Sequence, residues 1–195
     1  AGMTPSDKPY SRTSIFEMWK NRIPWLMFLM LSATFTSMIL TDFENILAAQ
    51  AGLVAFIPML MGTGGNSGAQ ASTAVIRSLS LGDTEPRDVL RVMWKEWRVS
   101  LICGLTLAVV NFVKMLLVDG LLLQNANVTV AVAATVSLSI IFIVMFAKVV
   151  GSALPIAAEK IGVDPAVMSN PLISTLTDAV SLLIYIYVAK LMLHI

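Results

Sequence analysis

The chain has 195 residues, of which 57% are hydrophobic and 13% are charged, and its formal net charge is +1. Soluble domains carry about 25% charged residues, so this composition excludes an ordinary soluble domain and predicts a membrane protein. Cys103 is the only cysteine and His194 the only histidine, which excludes a disulfide framework and leaves few ligands for zinc or copper. The sequence has no stripe of basic and aromatic residues of the kind that indicates a nucleic-acid partner.

Five apolar segments are long enough to cross a bilayer, so the sequence predicts an all-α membrane protein. They are residues 24–40, 46–76, 99–118, 128–150 and 171–193. The second is interrupted by glycines, and the fourth is expected to continue past Gly151 and Pro155 as a kinked extension. Asn170 and Pro171 are favoured at the N-cap and the first position of a helix, and they predict the start of the fifth segment.

The positive residues predict the orientation of the chain. Lysines and arginines precede the first segment and lie between the second and third and between the fourth and fifth, whereas residues 41–49 and 119–127 contain none. By the positive-inside rule, the N-terminus lies in the cytoplasm and the C-terminus outside the inner (plasma) membrane. Residues 1–22 are therefore a cytoplasmic segment, in which Ala1-Gly2-Met3 is typical of an expression remnant. Residues 85–98 predict a cytoplasmic helix that runs into the third segment.

Four glycines crowd the second segment in the sequence GTGGNSGAQ, residues 62–70. They predict an unwound or kinked helix, and irregular backbone at membrane depth must line a cavity or be buried in protein. Discontinuous helices of this kind mark transport sites. The alternative is close helix packing, because Gly64 and Gly68 have the spacing of small-residue contacts. The pore-lining candidates in this stretch are Gly62, Thr63, Gly64, Gly65, Asn66 and Gln70.

A polar stripe follows one face of the fifth segment. Asn170, Ser174 and Asp178 recur at intervals of four residues, and Thr177 and Ser181 lie beside them as further pore-lining candidates. A carboxylate is costly in hydrocarbon, so Asp178 is expected to face a protein interior or a water-filled path. An oxygen-rich stripe with one carboxylate suits a hard, hydrated cation. The alternative is a polar seam that only joins helices.

Four further acidic residues are weaker candidates for cation sites. Asp42 and Glu44 follow the first segment on the predicted outer side. Glu159 and Asp164 lie near the predicted cytoplasmic connection between the fourth and fifth segments. Each pair could attract cations or could consist of solvated loop charges, and the second interpretation is favoured.

The motifs GTGGNSGAQ and VDPAVMSNPLISTLTD (residues 163–178) resemble the MgtE family of bacterial magnesium channels, and the order of elements matches from about Pro9 to the C-terminus. The resemblance implies a homodimer with five transmembrane helices per subunit and a pore at the dimer axis, lined by spans two and five. It implies that residues 1–22 end a connecting helix and that residues 23–195 form the ion-conducting domain, without the family's cytoplasmic N-terminal and CBS domains.

The same resemblance assigns roles to three residues of the fifth span. Asp178 matches the pore aspartate that holds a hydrated Mg²⁺ ion. Asn170 matches the asparagine before the span-five proline, and Ser174 is expected to offer its backbone carbonyl on the same pore wall. Mg²⁺ is then both the transported ion and the ligand, and the partners are divalent cations, a second copy of the chain and the lipid bilayer.

The sequence therefore predicts a passive Mg²⁺-selective channel rather than an enzyme. An ion-coupled carrier for divalent cations is the alternative, because the same residues fit both. An intramembrane aspartyl hydrolase needs two cooperating carboxylates, whereas Asp178 alone lies clearly inside a span. An assembly module without transport disagrees with the polar stripe and the glycine stretch together.

Overall fold

The computed structural model describes residues 9–44, 51–125 and 127–194, and in these ranges it contains helices and no strand. Within these ranges, short elements accompany the long helices: 3-10 turns at Tyr10–Arg12 and Pro86–Asp88, a helix at Ala51–Val54 and a π-helix at Met115–Leu122. The five long helices are α1 (Ile15–Asp42), α2 (Ile57–Ser80), α3 (Val89–Lys114), α4 (Val130–Lys160) and α5 (Pro165–Leu193).

Four candidate membrane spans occur in the described residues, by length and composition: Ile15–Asp42, Pro86–Leu122, Val130–Lys160 and Pro171–Leu193. They confirm the prediction of an all-helical membrane protein. The 24 residues of α2, at about 1.5 Å per residue, are also long enough to cross a bilayer. This helix is rich in polar residues and glycine, and it is not among the four candidate spans. A fifth crossing through α2 stays a prediction.

Helix α4 lies at the centre of the bundle and packs against α2, α3 and α5. It is apolar around most of its circumference, which is typical of a helix enclosed by protein. Ile143 and Val144 of α4 are fully buried, together with Leu60 of α2 and Leu182 of α5. In contrast, α1 has no buried residue and packs mainly against α5. The fold is therefore a four-helix core with α1 at its edge.

Helix α2 runs unbroken through the glycine-rich stretch, so the prediction of an unwound helix is wrong. The glycines let neighbouring helices approach closely. A Cβ atom on Gly64 would lie 2.6 Å from the Ser181 Oγ, and one on Gly68 would lie 2.6 Å from a methyl carbon of Ile173. The alternative prediction of small-residue packing is confirmed for Gly64 and Gly68.

The interruption of the second segment lies earlier in the chain, between Val54 and Ile57. The backbone N–H of Phe56 donates to the Leu53 carbonyl at 3.2 Å. The Tyr185 hydroxyl of α5 donates to the same carbonyl at 2.9 Å, and both Leu53 and Tyr185 are buried. Non-helical backbone inside a membrane protein needs such partners, so Tyr185 stabilises the turn that begins α2.

Tyr185→Phe is expected to lower the free energy of unfolding by about 1–2 kcal/mol, because it removes a buried donor from the Leu53 carbonyl. Thermal unfolding in detergent measures this change. Tyr187→Phe is the matched control, since the Tyr187 side chain is 61% exposed, and it should leave stability unchanged. Equal stability of the two variants would contradict the assigned role of Tyr185.

Helix α5 begins at Pro165, earlier than predicted from Asn170 and Pro171. Asp164 is its N-cap, and its carboxylate accepts a hydrogen bond from the Ala166 N–H at 2.8 Å. Aspartate at the N-cap followed by proline is as good a start signal as the Asn-Pro pair, and Pro171 is accommodated inside the helix. The predicted extension of α4 past Gly151 and Pro155 is confirmed, because the helix ends at Lys160.

Candidate cation site

Asp178 lies in a cleft of about 540 Å³ between α1 and α5. Its side chain is partly buried. The cleft is lined by Pro171, Ser174, Thr175 and Asp178 of α5, by Met61 of α2, and by Leu29, Ala33, Thr36 and Ser37 of α1. This location agrees with the expectation that an intramembrane carboxylate faces a protein-lined space.

Hydroxyl groups surround the carboxylate on both walls of the cleft. The Thr175 Oγ1 donates to the Pro171 carbonyl at 3.0 Å, and the Ser37 Oγ donates to the Ala33 carbonyl at 3.4 Å. Each of these oxygens retains lone pairs that can accept hydrogen bonds. The cleft can therefore receive hydrogen bonds from a hydrated cation at several points besides Asp178.

The polar stripe of α5 divides into an open part and a packed part. Ser174 is exposed and Asp178 faces the cleft, whereas Thr177 and Ser181 are buried against α2 at Gly64. The Thr177 hydroxyl turns back on its own helix, 2.7 Å from the Ile173 carbonyl. This differs from the prediction that Thr177 and Ser181 line an open pore wall, and for these two residues the structure agrees with the helix-joining alternative. The side chain of Asn170 lies outside the described residues.

The glycine-rich stretch of α2 also presents two faces. Gly64 is packed, and the Thr63 hydroxyl donates to the Met59 carbonyl at 2.8 Å. A Cβ atom on Gly65 would lie 4.0 Å from the Thr177 Oγ1 of α5. A Cβ atom on Gly62 would have no neighbour within 4 Å. The open face forms a shallow groove of about 760 Å³ along the helix, lined by Asn66, Ala69, Gln70, Thr73, Ala74 and Arg77. Asn66 and Gln70 are thus exposed on the single chain, in a different cavity from Asp178, and their place in a pore stays a prediction.

The four weaker acidic candidates do not assemble into a site. Asp42 is the exposed last residue of α1 and Glu44 is exposed just after it, Glu159 is exposed near the end of α4, and Asp164 caps α5. No group of three or more His, Cys, Asp or Glu residues that could hold a metal ion occurs in the part of the chain that the structure describes.

Sequence analysis missed the contribution of α1 to this cleft. Leu29, Ala33, Thr36 and Ser37 recur at helical spacing, so they share one face of α1. The only available signal was the run ATFTS at residues 33–37, which places hydroxyl groups in an otherwise apolar span. Nothing in the sequence shows that this face contacts α5 rather than lipid.

The fold and the site define a helical membrane protein with a carboxylate in a cleft between two candidate membrane spans, α1 and α5. The family profile described as "MgtE: Divalent cation transporter" matches residues 57–188. The chain belongs to this MgtE family of divalent cation transporters, which confirms the resemblance seen in the two motifs.

Two relatives named "Magnesium transporter MgtE" illustrate the similarity. The protein from Thermus thermophilus is 42% identical over 188 residues, which cover 96% of this chain and 40% of that relative. The protein from Bacillus subtilis is 34% identical over 173 residues, which cover 89% of this chain and 37% of that relative. The chain thus spans about two fifths of the length of these relatives.

Proposed function

We propose that this chain is the channel domain of a Mg²⁺ transporter, which passes hydrated Mg²⁺ into the cell through a pore between two copies. The observation that carries the proposal is the position of Asp178. It is the only acidic residue between Pro171 and Leu193, and it faces a cleft rather than the helix core. Family membership and the name of the relatives support Mg²⁺ as the ion.

Asp178 acts as the selectivity-site carboxylate in this proposal. Mg²⁺ gives up its waters reluctantly and prefers octahedral oxygen coordination. One carboxylate per chain is too little to replace that shell, so Asp178 accepts hydrogen bonds from metal-bound waters. In this proposal Asn170 and the Ser174 carbonyl, which also accepts the Thr177 hydroxyl at 3.0 Å, accept or orient further waters. The negative charge selects cations over anions, and the size of the retained shell discriminates among cations.

The open face of α2 supports a second copy of the chain as the partner. Asn66, Gln70, Thr73 and Arg77 lie along this face, and all four are exposed in the single chain. Polar and charged side chains inside a membrane are costly against lipid and are found facing protein or water. Two copies related by a two-fold axis would enclose these faces of α2 beside α5. Helix α2 would then cross the membrane like the four candidate spans, and the pore would lie at the dimer axis.

A coupled carrier that uses the same site is the alternative, and an electrical measurement separates it from the channel. In liposomes that contain the purified chain and a Mg²⁺-sensitive dye, channel flux should rise continuously as the interior is made negative, without a proton or sodium gradient. The driving force is large, since about 2.3 kcal/mol acts on each elementary charge per 100 mV. Flux that requires such a gradient would favour the carrier, and protein-free liposomes are the control.

A further inference from the structure

The cleft at Asp178 has a second wall that is formed by α1 of the same chain. Ala33, Thr36 and Ser37 face Pro171, Ser174 and Asp178 across it. This wall is held weakly, because α1 packs mainly against α5 and has no fully buried residue. An ion held at Asp178 would therefore have one side toward α5 and another toward the hydroxyl groups of α1.

Thr36 differs from the other hydroxyl residues of the cleft in its hydrogen bonding. Ser37 and Thr175 both donate to carbonyls of their own helices, at 3.4 and 3.0 Å. Thr36 makes no side-chain hydrogen bond within the described ranges, and it is only partly exposed. Its hydroxyl group is therefore wholly unengaged on the α1 wall of the cleft, whereas Ser37 and Thr175 have committed their protons and can only accept.

A hydrated Mg²⁺ ion needs acceptors on more than one side. Its bound waters are strong hydrogen-bond donors that point outward in an octahedral arrangement, so a single carboxylate satisfies only those that face it. The waters that point away from Asp178 toward α1 meet Leu29 and Ala33, which cannot accept, and the hydroxyl groups of Thr36 and Ser37. Both hydroxyl oxygens can accept, and Thr36 is the one of the two that makes no other hydrogen bond within the described ranges.

We infer that Thr36 is an ion-site residue: its hydroxyl accepts a hydrogen bond from a water of the Mg²⁺ shell opposite Asp178. This inference rests on the proposed function, and it extends the site from α2 and α5 to α1. The α1 wall then contributes to the affinity of the site for the hydrated ion, although Thr36 does not touch the metal.

The test compares Thr36→Val with a matched control on the same helix. Valine keeps the branched shape of threonine and removes the hydroxyl. Thr34→Val makes the same change at an exposed position that does not line the cleft. Isothermal titration of the detergent-purified chain with Mg²⁺ should show a dissociation constant raised about three- to tenfold for Thr36→Val, the worth of one hydrogen bond. Thr34→Val should match wild type. Thr36→Ser keeps a hydroxyl group, so its dissociation constant should lie within about twofold of the wild-type value.

Hexaamminecobalt(III) is a second probe, because its ammine ligands donate hydrogen bonds but do not exchange. Its binding should weaken in Thr36→Val by a similar factor if the contact is made through the shell. Unchanged Mg²⁺ affinity of Thr36→Val, or an equal loss in Thr34→Val, would overturn the inference. Unchanged hexaamminecobalt(III) binding would overturn the shell contact.

Asp178→Asn in the same experiment separates this inference from the proposed function. If Asp178→Asn loses Mg²⁺ binding while Thr36→Val keeps it, the role of Thr36 alone is rejected. If Asp178→Asn keeps full Mg²⁺ affinity, the carboxylate site itself is rejected, and the role of Thr36 is rejected with it.

Discussion

Asp178→Asn is expected to reduce Mg²⁺ flux at least about tenfold in liposomes that contain the purified chain. The substitution preserves the shape of the side chain and removes its charge. Hydrogen bonds to a charged group contribute about 1.5–3 kcal/mol each, and about 1.4 kcal/mol corresponds to a factor of ten in affinity. In a dimer, both copies of the carboxylate are lost together. Uptake of Mg²⁺ against time, at several external concentrations, measures the effect.

Glu159→Gln is the matched control for this experiment. It removes one carboxylate charge from an exposed position one residue before the end of α4 at Lys160, outside the cleft. Surface charges are screened by salt and contribute little at a distance, so flux should remain near the wild-type level. Light scattering of the detergent-purified variants should show the same oligomeric state. Full flux in Asp178→Asn, with assembly unchanged, would contradict the assignment of the selectivity site.

Gly151→Ala is expected to lower the free energy of unfolding by about 1–3 kcal/mol, which is the usual cost of an overpacked core. A Cβ atom on Gly151 would overlap the carbonyl oxygen of Gly68, and the Gly68 Cα would lie 2.9 Å away. These are backbone atoms of α2, so no side-chain rotation relieves the contact. The two helices must separate, and thermal unfolding followed by circular dichroism measures the loss.

Gly62→Ala provides the control, because it makes the same substitution inside a long helix at a site with no neighbour within 4 Å. Replacing glycine by alanine in a helix interior adds up to about 1 kcal/mol of helix stability. Gly62→Ala should therefore unfold at the wild-type temperature or slightly above it. A Gly151→Ala protein as stable as Gly62→Ala would show that α2 and α4 are not in close contact at this point.

Sequence patterns located the helices well and their ends less well. Hydropathy and charge placed the apolar segments, and the helix predicted over residues 85–98 is confirmed from the 3-10 turn Pro86–Asp88 into α3. Asn170 and Pro171 misled the prediction of the α5 start, since Asp164 and Pro165 carry an equivalent signal. Local capping preferences are nearly equal at the two sites, so the sequence alone does not decide between them.

The glycine stretch shows why local propensity misjudged α2. Glycine weakens an isolated helix, and four in seven residues predicted an unwound one. Contacts with Ser181, Ile173 and Gly151 offset that weakness. Each glycine on the packed face lacks a side chain, so a neighbouring helix occupies the space that a Cβ atom would need. The discontinuity lies instead at Ala55 and Phe56, where the buried Tyr185 hydroxyl bonds the Leu53 carbonyl.

The sequence by itself determined that this chain is a helical membrane protein of the MgtE family and that Asp178 is the carboxylate to examine, because hydropathy, charge and motifs are local properties of the chain. Only the tertiary structure decided which polar residues are open and which are packed. Thr177 and Ser181 are buried at Gly64, whereas Thr36 joins Asp178 in one cleft. These relations depend on contacts between helices far apart in the chain, and spacing along a single helix does not contain them.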